Sequence, residues 1–463
     1  MKKSYEMDMT NGPLLKKLLI FAVPLMLSGI LQLLFNAADI IVVGQFTGSS
    51  ALAAVGSTSA LINLFVNVFI GFSIGANVLV AQYYGARDEE NVHETVHTSI
   101  LLALICGVIL IVAGVSLAPP MLELMDTPKE VLGQAVLYMR IYFVGMPATL
   151  VYNFGAAILR AVGDTRRPLY YLLISGCVNV VLNLFFVAGC GRGVDGVAIA
   201  TVISQVISAG LIVRCLAKSD SVYRLELRKL KLHKQKVIRI AQIGLPAGFQ
   251  GAIFSISNVL IQSSVNSFGS IAMAGNTAAS NIEGFIYTAM NAVYQTALSF
   301  TSQNLGAGKL GRIPRILGEC LAVVFAVGAI LGFLAYGFGG ELLHIYSSDQ
   351  EVIKNGLYRM MVICQTYYLC GMMDVTVGVL RGLGYSIAPM LVSLAGVCGL
   401  RVLWIFTIFQ WHKTLFSLYI SYPVSWGITF AAHLVCYFVI FKRIKRRQQA
   451  TGVNGSAAGN AEA

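Results

Sequence analysis

Leu159-Arg160-Ala161-Val162-Gly163 recurs as Leu380-Arg381-Gly382-Leu383-Gly384, 221 residues further along the chain. Pro168 and Pro389 follow the two copies at the same offset. Gln82-Tyr83-Tyr84-Gly85-Ala86 and Gln303-Asn304-Leu305-Gly306-Ala307 precede them, again 221 apart. Pro24 and Asn36 answer Pro246 and Asn258 at 222, so one residue was gained or lost in between. Unrelated segments do not hold one register over about 150 residues, and the chain therefore reads as two copies of one unit.

The unit is built for lipid. Of 463 residues, 57% are hydrophobic and 12% charged, about half the charge of a soluble domain, which carries roughly 25%. A span needs about 20 mostly apolar residues. Twelve runs qualify, at 17–43, 53–81, 95–117, 133–157, 168–190, 195–217, 240–267, 271–302, 315–338, 354–379, 386–410 and 416–441. The first run carries on to about Val43 with no small-residue cleavage site, which suits a membrane helix better than a signal peptide. The expected architecture is an all-α integral membrane protein: a six-helix bundle over 1–217, a basic linker over 218–239, a second bundle over 240–447 and a disordered tail over 448–463.

Charge orients the bundles. The net charge of +12 sits in short joins, so topology explains it and nucleic-acid binding does not. Arg87, Arg160, Arg166, Arg167, Lys309, Arg312, Arg315, Arg381 and eight basic residues of 218–239 fall on one side, with the Lys442–Arg447 cluster. The opposite joins carry Glu123, Asp126, Glu341, Asp349 and Glu351. By the positive-inside rule both termini are cytoplasmic. Six spans per half is an even number. The halves are therefore parallel repeats about an axis along the membrane normal, with a cavity between them.

Charged groups in hydrocarbon cost roughly 2.5–3.5 kcal/mol each, so they mark candidate sites. In the first span Gln32, Asn36 and Asp39 share one helix face. Asp39 has no evident counter-ion in its own half and reads as a proton carrier or a carboxylate awaiting Na⁺; the alternative is a hydrogen-bonded structural acid near the outer interface. Asn179 and Asn183 lie one turn apart in span 5, at about the height of Thr201 in span 6 and below Asp39; they form either a polar pocket in the outer portion of this half or interhelical glue. Span 8 carries a polar stripe, Asn276, Ser280, Glu283, Tyr287, Asn291 and Tyr294, on one face toward the cavity. Glu283 is its one charge. It pairs with Arg401, read as the one deep arginine, or serves as a second cation site. Asp374, about 10 Å from the end marked by Arg381, is a further candidate, too far from Glu283 to share a site.

Two motifs are set aside. His93-Glu94-Thr95-Val96-His97 spells the zinc-protease signature but sits where a loop enters span 3, without a third ligand. Gly191-Arg192-Gly193-Val194-Asp195-Gly196 spells a dinucleotide fingerprint but lacks its βαβ frame. No P-loop occurs, and the nine cysteines form no C-x-x-C; most lie in apolar runs and read as buried hydrophobes, while Cys190 sits at a helix end as a candidate free thiol. An enzyme is not expected, and neither is a cofactor or a metal.

The run Asn36-Ala37-Ala38-Asp39-Ile40-Ile41-Val42-Val43-Gly44, then Ala51-Leu52-Ala53-Ala54-Val55-Gly56, Gln82-x-x-Gly85-Ala86, Asn179-x-x-x-Asn183, Gly196-Val197-Ala198-Ile199-Ala200-Thr201 and the two Leu-Arg repeats together resemble multidrug and toxic compound extrusion (MATE) transporters. The resemblance implies a twelve-helix, V-shaped antiporter. It would export amphipathic, often cationic drugs in exchange for H⁺ or Na⁺, and work as a monomer in the plasma membrane. In the proton-coupled DinF-like branch the first-helix Asp works with an Asn and an Asp one turn apart on helix 5. Asp39 and Asn179 match two of these, and Asn183 replaces the second acid. NorM-like members use a helix-7 Glu eight residues after the Pro; Phe254 stands there, and their helix-10 Asp lies further from the Arg than Asp374 does from Arg381. The expected cation-coupling set is Asp39, Asn36, Asn179, Asn183 and Thr201. Drug is expected between the halves, near Gln32, Glu283, Tyr287, Asn291, Tyr294 and Asp374. A flippase for a lipid-linked precursor, from the same superfamily, is the alternative; it would need several cavity cations.

Overall fold

A chain this apolar must satisfy its peptide groups within each segment, because lipid offers them no partner. The computed structural model describes residues 5–47, 49–125 and 127–459, and gives backbone alone for 49, 50, 52, 53, 60, 64 and 450–459. Asp126 and the last four residues of the expected tail lie outside the described residues. Among the described residues all regular structure is helical.

Twelve spans result. They are α1 (Leu14–Phe46), α2 (Ser49–Gly85), α3 (Glu89–Leu124), α4 (Lys129–Val144 with Met146–Ala161), α5 (Arg166–Asn183, extended by a π-helical Leu184–Gly189) and α6 (Val194–Ala217). The second set is α7 (Lys234–Asn266), α8 (Ser270–Gly306), α9 (Ile313–Gly337), α10 (Gln350–Ile363, a 3₁₀ turn Cys364–Thr366, then Tyr368–Gly382), α11 (Ile387–Ser393, a π-helical Leu394–Gly399, then Leu400–Phe406) and α12 (Leu415–Gly459).

Among the described residues nine spans are long and apolar enough to cross a membrane unbroken, and α4 and α10 cross as pairs bent by 45° and 43°. The α4 bend falls at Gly145 and Pro147, which supplies no N–H to the preceding turn. The α10 bend falls at its tighter 3₁₀ turn. The twelfth span is α8, whose polar stripe lowers its hydropathy.

Two boundaries differ from the sequence reading. The helix of α7 begins at Lys234, inside the expected linker, because Lys236 is buried and tied to Asn91, with Glu94 3.6 Å away. The backbone of α12 carries on past Gln448, where composition predicts disorder, to Gly459; a nucleated helix propagates at little cost.

The two lobes meet through glycines. A Cβ on Gly71 of α2 would lie 2.5 Å from the Gly244 carbonyl oxygen of α7, and Gly75 and Gly248 press on the Ile240 and Val68 carbonyls in the same way. The small-residue spacing on α2 thus packs one lobe on the other. All these glycines lie in the halves of α2 and α7 nearer the basic linker. On that face residues 5–12 run across both lobes. Glu6 accepts hydrogen bonds from Tyr223 (2.8 Å), Ser221 (2.6 Å) and Tyr84 (3.2 Å), while Asn304 donates to the Met9 carbonyl at 3.1 Å and Lys309 to that of Thr10 at 3.1 Å. Linker and amino-terminal segment are therefore docked parts of the fold.

Candidate functional site

Asp39 heads a chain of hydrogen bonds through three helices. Asn183 of α5 uses its side-chain amide to donate to the Asp39 carboxylate and to Asn179 Oδ1, the latter at 3.2 Å. Asn179 donates in turn to Thr201 Oγ1 of α6 at 3.5 Å, and Thr201 to the Val197 carbonyl at 3.0 Å. The α5 helix widens into its π turn directly after Asn183, a distortion common at functional sites. Among the described residues no cationic side chain makes an ion pair with Asp39, and the buried Oδ1 of Asn183 has no hydrogen-bond partner. Tyr138 and Tyr142 of α4 stand near the carboxylate, and no sequence signal marks them.

Asp39 lines a cavity of about 600 Å³ together with Gln32, Asn36, Asn179 and Thr201. Tyr287, Asn291 and Tyr294 of α8 complete it from the other lobe, so it is a central cavity shared by the two halves. Gln32 and Asn36 are exposed within it. Arg160, read from sequence as a loop marker, also lines it.

The stripe on α8 faces two cavities. Its upper part, Asn276, Ser280, Glu283 and Tyr287, lines a second one of about 620 Å³ in the carboxyl-terminal lobe, and Tyr287 belongs to both. Here the structure corrects the sequence reading. Glu283 does not pair with Arg401. Arg359 of α10 holds it in a two-pronged ion pair, Nε to Oε1 at 2.8 Å and Nη2 to Oε2 at 2.6 Å, and places Nη1 on Asn276 Oδ1 at 2.7 Å. Both carboxylate oxygens are engaged, so the Glu283 charge is met within the protein.

Nor is Arg401 the one deep arginine. Arg359, Arg381 and Arg401 are 6%, 5% and 4% exposed. Arg381 closes α10 from inside the fold, donating to the Tyr294 hydroxyl at 2.7 Å and to Gln250 Oε1 at 2.9 Å. Asp374 lines neither cavity; its neighbours are the Tyr287 hydroxyl and the Arg381 charge. Asp374 and Glu283 thus belong to separate clusters. Arg359 lies five residues beyond Lys354, inside the expected tenth span, and the sequence reading does not single it out. Helical spacing across α10 would have placed it with the buried Gly356, Met360 and Ile363.

The His93–His97 motif has a structural use. His97 Nδ1 bonds to the His93 carbonyl at 2.7 Å, and its Nε2 accepts the Glu226 backbone N–H at 2.9 Å. Nε2 thus fastens the linker to α3, while Nδ1 is spent within α3 itself.

A sequence model described as MatE matches residues 24–185 and again 246–407, once in each lobe. The chain is similar to the probable multidrug resistance protein YoeA of Bacillus subtilis, 27% identical over 93% of this chain and 94% of that protein. It is also similar to the probable multidrug resistance protein NorM of Thermotoga maritima, at 25% over 84% of each. The multidrug export protein MepA of Staphylococcus saprophyticus is 22% identical over 92% of this chain and 94% of that one. A solved structure described as the outward-facing conformation of a multidrug resistance MATE family transporter matches the fold with a TM-score of 0.89, at 21% identity, over 96% of this chain and 100% of that chain. Two matched units set side by side, with a polar cavity between them and twelve helices through the membrane, make this chain a member of the MatE family, a transporter of small molecules rather than an enzyme.

Proposed function

We propose that the chain is a secondary antiporter that exports amphipathic drug-like molecules across a bacterial plasma membrane, driven by H⁺ or Na⁺ moving inward through Asp39. The observation that carries this is the Asp39 cluster. It is a carboxylate inside a membrane protein whose bonded partner is an uncharged amide, beside an amide oxygen that lacks a donor. A proton or Na⁺ supplies what such a cluster is short of. A cationic amphiphile in the central cavity competes for the same negative charge, which is how one ion displaces one drug. The names of the similar proteins support drug export over the flippase reading.

The basic joins put both ends and the linker in the cytoplasm. In that orientation the face where α2 meets α7 is the cytoplasmic one, and drug leaves on the other side. One chain supplies both walls of the central cavity, so a monomer suffices.

Dye efflux from reconstituted vesicles under separately imposed H⁺ and Na⁺ gradients tests this. Asp39→Asn should insert normally and lose gradient-driven export. Export at the wild-type rate by that variant would end the coupling role.

A further inference from the structure

Arg401 stands in the wall of the carboxyl-terminal cavity with a charge that no carboxylate among the described residues meets. It follows the π turn of α11 and is 4% exposed. Its Nε donates to Ser425 Oγ at 2.9 Å, while Nη2 is buried without a hydrogen-bond partner. The guanidinium lies over the Tyr422 ring at 4.1 Å and beside the Trp426 ring at 5.4 Å. Glu283 is the carboxylate lining this cavity, and Arg359 already engages both its oxygens. Two guanidiniums against one carboxylate leave one positive charge in surplus.

Aromatic faces attract a cation but accept no hydrogen bond from its edge in the way an anion does. A buried donor without an acceptor is costly, and a buried charge without a partner more so. The same wall offers flat surfaces. Tyr287, Tyr367, Trp426 and Tyr422 follow one another with ring centroids 6.5, 5.3 and 5.6 Å apart, leading from the central cavity to Arg401.

We propose that this cavity binds a single anionic group, a carboxylate, sulfonate or phosphate ester, borne on a flat apolar body. Arg401 is its charge partner, Ser425 fixes the guanidinium, and the Tyr367–Trp426–Tyr422 wall holds the body. The surplus positive charge turns away cations, so this pocket and the Asp39 cavity select opposite ends of a substrate. The proposal rests on this cavity's residues alone and stands whether or not Asp39 carries the coupling ion.

The test is equilibrium binding to the full-length protein in phosphatidylcholine nanodiscs, read by calorimetry and by tryptophan fluorescence. The probe is 2-naphthalenesulfonate, and 2-naphthalenesulfonamide is its uncharged counterpart. Wild type should bind the sulfonate at least tenfold more tightly. Arg401→Gln should erase that preference and leave sulfonamide binding in place, Arg401→Lys should keep part of it, and Ser425→Ala should weaken it several-fold. Equal affinity of wild type for the two probes overturns the proposal, with no variant needed, and so does a preference that survives in folded Arg401→Gln. A headgroup from the membrane has the same chemistry. If phosphatidylglycerol nanodiscs lower sulfonate affinity in wild type but not in Arg401→Gln, the lipid is an occupant of this anion site; unchanged affinity assigns the site to soluble anions. No ion gradient is present, so failure here leaves the Asp39 proposal standing, and the reverse holds too.

Discussion

Gln82 and Gln303 make the same hydrogen bond in opposite directions across the molecule. Gln303 Nε2 donates to the Ala161 carbonyl at 2.6 Å, and Gln82 Nε2 donates to the Gly382 carbonyl at 3.1 Å. Donors and acceptors are repeat partners, 221 residues apart in both cases. Gly85 and Gly306 occupy the same relation, each pressed against the backbone of the opposite glutamine. The duplication seen in sequence is thus a physical clasp between lobes on the basic face.

Loss of both amides should loosen that clasp. Interhelical hydrogen bonds in membranes average about 0.6 kcal/mol, so Gln82→Ala with Gln303→Ala shifts the equilibrium between lobe arrangements by about 1 kcal/mol, roughly five-fold. Spin labels on either lobe at this face should show a larger separated population in the double variant. An unchanged distance distribution would show that the glycine contacts alone hold the face shut.

The glycines on α2 and α7 should tolerate nothing larger. Overpacking costs about 1–3 kcal/mol, here against backbone that cannot swing away. Gly71→Val and Gly248→Val should cut vesicle export about tenfold or more at normal insertion. Gly210→Ala, on α6 with nothing within 4 Å of an added Cβ, is the control. Full activity in the α2 variant would mean that the lobes need not come this close during transport.

Several of these features were legible without coordinates, for a definite reason. Apolar run length and the repeat are local or one-dimensional signals, and they yielded twelve spans and two lobes. Helix phase and depth group Asn179, Asn183 and Thr201 but set Asp39 higher, and the Asn183 bond brings it to them. What failed was partnership between helices distant in sequence. Depth makes Arg401 the obvious partner for Glu283 if it has one, but Arg359 of α10 meets it instead. Arg160 and Arg381 read as charges of the joins because they end apolar runs. Hydrogen bonding inside the fold, as from Arg381 to Tyr294 and Gln250, leaves no trace in a run of letters.

The amino-terminal segment gives a pH prediction. Asp8 caps it, accepting from the Thr10 N–H at 2.8 Å, the Thr10 hydroxyl at 2.7 Å and Asn11 Nδ2 at 2.8 Å. Burial pushes its carboxyl up, but the bonds from Asn11 and Thr10 and the nearby Lys17 charge outweigh this and set its pKa at about 2, against an ordinary 3.8. A depressed carboxylate stabilises the docked segment fully above its ordinary pKa, and the contribution fades as pH falls from about 4 toward 2. Hydrogen exchange at the Met9 amide should therefore be equally protected from pH 5 to pH 8, once corrected for intrinsic rate. Protection that falls within this range would assign the docking to another group.

The Glu283–Arg359 pair separates a structural role from a transport role. Both side chains are almost wholly buried, 6% and 7% exposed, so salt should screen them little. Removing one partner of such a pair costs about 3–5 kcal/mol, because the other charge is left stranded. Glu283→Gln should accordingly lower the thermal unfolding midpoint of the purified protein, in high salt as well as low. Glu283→Gln with Arg359→Gln should recover most of the loss, since two amides can bond to each other and to Asn276. If Glu283 were instead a site for a passing cation, the single variant would be as stable as wild type and would fail in export alone, and the second substitution would rescue nothing. The two readings part on one melting curve, and the contacts from Arg359 favour the first.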